Sequence, residues 1–82
     1  MVRIFHPEGK IESREGNITL AEAQKAVHGY VEMLKTPSGT LLMDEDARCK
    51  GGVAINVTAS EVMGFELLGP VVLLDGKSKL KG

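Results

Sequence analysis

Apolar and polar positions change period several times along the chain, and each change marks an element. Val2-Arg3-Ile4-Phe5-His6 is rich in β-formers, and alternation resumes through Lys10-Ile11-Glu12-Ser13-Arg14 after Pro7-Glu8-Gly9. This pattern predicts a β-hairpin. Proline presets φ at the second turn position, and glycine accepts the positive φ that closes a tight loop, so His6-Pro7-Glu8-Gly9 is a turn with a mechanism. Thr36-Pro37-Ser38-Gly39 repeats the device and joins Tyr30–Lys35 to Thr40–Met43 as a second hairpin. The shared turn chemistry reflects convergence on a good turn, not an internal repeat.

Between the hairpins the period becomes helical. Thr19-Leu20-Ala21-Glu22 is a capping box, in which the Thr19 hydroxyl meets the Glu22 amide and the Glu22 side chain reaches back. Leu20, Ala23 and Val27 then fall on one face, with Gln24 and Lys25 away from it, and Gly29 is expected to end the helix in the left-handed conformation. A second, shorter helix is expected within Asn56 to Met63, capped by Asn56 or Thr58 and closed by Gly64. Asp44 to Gly52 is polar and ends in paired glycines, which predicts an exposed, mobile loop. Val71-Val72-Leu73-Leu74 is an unbroken apolar run, expected to be a strand covered on both faces, with Pro70 at its start. The resulting order is β-β-α-β-β-α-β. It predicts an α+β domain with an antiparallel or mixed sheet of four to five strands, one main helix and one short helix in two layers.

Length and composition confine this plan. At 82 residues the chain has room for one core, assigned to residues 1–76, with 77–82 read as a frayed basic tail. Aromatic residues are only 4% of the chain, so the core must be built from aliphatic side chains. So small a core supplies about 3 to 5 kcal/mol, and a homo-oligomer is one expected way of adding to it. Cys49 is the only cysteine, which excludes an intrachain disulfide and points to a reducing cytoplasm. No segment resembles a signal peptide or a membrane span. A net charge of -1 with dispersed Lys and Arg lacks the electrostatic footprint of a nucleic-acid binder.

Motifs with chemical content each fail at a named place. Gly76-Lys77-Ser78 has the letters that end a phosphate-binding loop, but that motif requires glycine at position 71, where Val71 stands. Asp44-Glu45-Asp46 opens like a calcium loop, yet Cys49 and Ile55 occupy the positions that need glycine and glutamate. His6, His28 and Cys49 come from separate elements without zinc-site spacing. Neither Cys49 nor Ser60 lies in a nucleophile signature, although Arg48 and Lys50 could activate the thiol. No catalytic residue, metal ligand or cofactor is therefore assigned. Tyr30, Glu32, Arg48 and Asn56 are the candidate binding residues, polar or amphipathic groups at element ends and in the loop. Each also has a structural reading: a half-buried strand residue, an exposed strand residue, a solvated charge and a helix cap, respectively.

Ile18-Thr19-Leu20 through Gln24, Val27 and His28-Gly29-Tyr30-Val31-Glu32, then Asn56 and Ala59, then Gly69-Pro70-Val71-Val72, form a pattern across residues 18–74. The pattern resembles an uncharacterised family of small phage and prophage proteins that carry a domain of unknown function. His28 departs from it, standing where the family usually has glycine. The resemblance implies a phage accessory protein in the bacterial host cytoplasm, binding a host component as an inhibitor or counter-defence factor. Its partner would be a host protein or a small-molecule ligand. Two further classes are an oligomeric sponge for a nucleotide signal and a small enzyme acting on a phosphorylated small molecule.

Overall fold

A computed structural model describes all residues, Met1–Gly82. The chain runs β1 (Val2–Phe5), β2 (Ile11–Arg14), β3 (Ile18–Thr19), α1 (Leu20–Val27), β4 (Val31–Thr36), β5 (Gly39–Asp44), α2 (Val57–Met63), β6 (Val71–Leu74) and β7 (Leu80–Lys81). Five strands form one sheet in the order β2-β1-β6-β5-β4, and every neighbouring pair is antiparallel. This is an α+β fold. Both predicted hairpins are present, with Gly9 N–H donating to His6 O at 2.9 Å and Thr36 facing Gly39 across a two-residue turn.

β6 is the middle strand and all four of its residues are buried. Because side chains alternate across a strand, Val72 and Leu74 join Val2, Leu42, Ile18, Ala23 and Val27 on one face. Val71 and Leu73 join Phe5, Leu41, Ala59 and Leu67 on the other. α1 and α2 therefore cover opposite faces, giving three layers in place of the expected two. An apolar run that is buried on both faces needs a cover on each. Burying each Val or Leu contributes about 1.5 to 3 kcal/mol, which makes β6 the strand least tolerant of a polar substitution.

The caps explain where the helices begin. Thr19 Oγ1 accepts from Glu22 N–H at 3.1 Å, and Glu22 returns a bond to Thr19 N–H at 3.0 Å. Leu20, expected in the core, is 38% exposed, because the core position at this end is taken by Ile18. Helix α1 ends on His28, which itself adopts the left-handed conformation at φ 63°, where Gly29 was expected to do so. Gly29 serves close approach: a Cβ there would lie 2.5 Å from Asp44 Oδ1.

Two regions differ further from expectation. Residues 77–82 are held in place: β7 pairs in parallel with β3, and Lys79 N–H donates to Asn17 Oδ1 at 2.8 Å. Leu80 packs against the α1-side core, which gives the segment an apolar anchor. The 44–52 loop is likewise built into the fold by a chain of turns, with Ala47 N–H on Asp44 O and Cys49 and Lys50 N–H on Asp46 O. Asp44 and Ala47 are buried within it, while Glu45, Asp46 and residues 48–52 are exposed, as the polar composition predicts. No helix is long and apolar enough to cross a membrane.

Candidate binding surface beside the second helix

Helix α2 is positioned by Asn56. Its Oδ1 accepts from Ala59 N–H at 3.1 Å, and its Nδ2 donates to Phe5 O and Gly69 O at 2.9 Å each. One amide thereby ties the start of α2 to the end of β1 and to the approach to β6. The segment after α2 is strapped back onto the helix: Asn56 N–H donates to Leu67 O at 2.8 Å, and Ser60 Oγ accepts from Leu67 N–H at 2.8 Å. Leu67 is pulled into the core, and its neighbours are turned outward.

The outward set is apolar. Val57 lies two residues from buried Ala59, roughly on the opposite side of a helix with 3.6 residues per turn. Ile55, Val57, Val62 and Phe65 are 51%, 58%, 50% and 41% exposed. Phe65 and Glu66 lie between two depressions. One, about 470 Å³, is bordered by Ile55, Val57 and Glu61. The other, a groove of about 160 Å³, runs over Met43 to Glu32, Glu45 and Arg48. A contiguous apolar surface rimmed by polar groups is the usual form of an interaction site.

The groove is acidic. Glu32 and Glu45 have no cation within 4 Å, whereas Arg48 pairs loosely with the Glu66 carboxylate at 3.8 Å and donates to Glu66 O at 3.4 Å, both side chains more than half exposed. Asp44, also at the groove, is neutralised from behind: Lys50 Nζ lies 2.5 Å from Oδ2 and donates to His28 O at 2.9 Å. Burial opposes ionisation of Asp44. The bonds from Lys50 and Asp46 N–H, with the charges of Lys50 and His28, outweigh it and hold the carboxyl below its usual range. The other shifted carboxyls are remote from the groove. The Arg14 bond, then the Thr19 bonds, lower Glu22 to about 2, and the His6 bond lowers Glu12. These three are locked in structural pairs and caps, and no group of three or more His, Cys, Asp or Glu is arranged around a metal position.

Of the residues singled out from sequence, Glu32 and Arg48 meet in the groove. Tyr30 stands just before β4, 67% exposed, not half-buried in a strand, and its carbonyl accepts from Glu45 N–H at 3.0 Å. Asn56 is fully buried with both amide protons committed to the backbone, which makes it a cap and staple with nothing to offer a ligand. Ile55, Val57, Phe65 and Glu66 were missed. The available signal was apolar residues at the wrong helical phase around Ala59 and an aromatic directly after the closing Gly64. Compared with protein-family models, curated proteins and solved structures, the chain matches none of them.

Proposed function

We propose that this chain is a non-enzymatic protein-binding module, a phage accessory protein that acts by engaging a host protein as an inhibitor or counter-defence factor. The observation that supports the reading is the exposed apolar set Ile55, Val57 and Phe65, which Phe65 joins to the acidic groove, in a domain whose buried core is aliphatic apart from Phe5. The groove's charge also disfavours the two other classes at this surface. A nucleotide signal or a phosphorylated substrate is anionic, and Glu32, Glu45 and Glu66 would repel it against one cation, Arg48.

The test is retention of proteins from bacterial lysate on immobilised protein. The expected result is a discrete protein held by the wild type and by Lys25→Glu on α1, and lost with the triple variant Ile55→Ser, Val57→Ser, Phe65→Ser. Retention unchanged in the triple variant, or no retention by the wild type, refutes the reading.

A further inference from the structure

We propose that the free edge of β4 receives an extended segment of the partner as a sixth, antiparallel strand. That segment carries a cation opposite Glu32 and an anion opposite Lys35, with apolar residues between them. The inference deepens the binding reading, and rests on it, by naming the chemistry of the partner.

The two edges of the main sheet differ. β2 is fully exposed, but its charges are spent within the chain: Glu12 bonds His6, and Arg14 bonds both Glu22 and Asn17 O at 3.1 and 3.0 Å. β4 is longer, six residues in unbroken register with β5 from Val31↔Asp44 to Thr36↔Gly39, and it pairs on one side only. Neither Glu32 nor Lys35 has an ionic partner. Met33 and Leu34 are 52% and 40% exposed. A regular edge with unpaired backbone groups and exposed apolar side chains is a template for another strand. Glu32 is also a wall of the acidic groove, so an added strand would run directly beside the apolar surface of α2.

Side-chain parity decides between a second copy of this chain and a different partner. Glu32 and Leu34 lie on the α2 face, opposite Met43 and Leu41, while Met33 and Lys35 lie on the α1 face. Residues directly opposite in an antiparallel pair share a face. Two copies of β4 related by a twofold axis normal to the sheet can therefore pair only residues whose numbers are both odd or both even. Glu32 never meets Lys35 of the second copy in any such register. Self-pairing also brings two acidic grooves together. A foreign strand has no such restriction, and reading against β4 from Thr36 to Val31 gives the complement Thr-Glu-Val-Ile-Lys-Val, with its lysine on the groove side.

Two labelled synthetic octapeptides of identical composition test this by fluorescence polarisation: Ser-Thr-Glu-Val-Ile-Lys-Val-Thr and its charge-swapped form Ser-Thr-Lys-Val-Ile-Glu-Val-Thr. Opposed unlike charges stabilise a cross-strand pair and opposed like charges destabilise it by similar amounts, so the first peptide is expected to bind about tenfold more tightly. The double variant Glu32→Lys, Lys35→Glu is expected to invert the order. Hydrogen exchange with the first peptide bound is expected to slow alternate amides within Val31–Thr36. Equal affinities, no binding of either peptide at millimolar concentration, or β4 amides already protected in a dimer of the free protein would each overturn the proposal. If the peptides fail while the lysate partner still depends on Phe65, strand addition is wrong and the binding reading stands. If the peptides discriminate but lysate retention ignores Phe65, the binding reading is at fault.

Discussion

Replacing Asn56 by alanine removes three hydrogen bonds at once from a site with no solvent access. Loss of the helix cap costs about 1 kcal/mol. The two bonds to Phe5 O and Gly69 O contribute about 1 kcal/mol each, and more when the carbonyls they leave behind are buried. The total, about 3 to 5 kcal/mol, equals the whole stability expected of a domain this size. Asn56→Ala is therefore expected to be largely unfolded at 25 °C in urea titrations followed by far-ultraviolet circular dichroism. Asn56→Asp separates the two roles, since a carboxylate still caps α2 but cannot donate to either carbonyl and sets a buried charge beside both. It is expected to be no more stable than the alanine variant. Either variant within about 1 kcal/mol of the wild type would refute the staple that this residue is held to form, judged against the typical cost of a lost buried hydrogen bond.

Other perturbations follow from the same structure. Gly39→Ala places a Cβ against Leu74 O at a φ of +136°, and a loss of about 3 kcal/mol or more is expected by thermal melting. Leu80→Asp removes the anchor of β7 and exposes Ile18, and is expected to cost about 1 to 2 kcal/mol, whereas a frayed tail would give no change. Asp44→Asn breaks the Lys50 link and is expected to cost about 1 to 2 kcal/mol, with faster amide exchange through residues 46–50. Asp44 and Glu22 both have lowered native pKa values. Their contribution is complete above the ordinary carboxylate range and is lost as pH falls through the lowered values, so acid unfolding is expected to begin below about pH 4 and to extend toward 2. Asp44→Asn should make that decline shallower.

The hairpins, both helices and the central strand were legible because each carries a local device: Pro-x-Gly turns, side-chain caps and an unbroken apolar run. The pairing of Ile18–Thr19 with Leu80–Lys81 was not, since strands of two residues have no period to read and their bonds span 62 positions of sequence. Burial of Asp44 was hidden for the same reason. It depends on Lys50 as counter-charge and on Gly29 making room, and a charge cluster alone reads as solvated. At the surface, Glu32 and Arg48 were singled out as polar groups at an element end and in the loop, and both line the groove. Phe65 and Ile55 were not, because whether an apolar residue points inward depends on the strap between Ser60 and Leu67. Asn56 was legible as the helix cap it is, but not as a binding residue excluded by burial, since its remaining polar groups are spent on backbone carbonyls distant in sequence.

Hydrogen exchange of the full chain, with and without the host protein it retains, measures the proposed interaction most directly. Protection is expected at Val31–Thr36 and across residues 55–66, with α1 and β7 unchanged. Protection confined to α1, or to residues 77–82, would contradict a binding surface formed by the β4 edge and the outer side of α2.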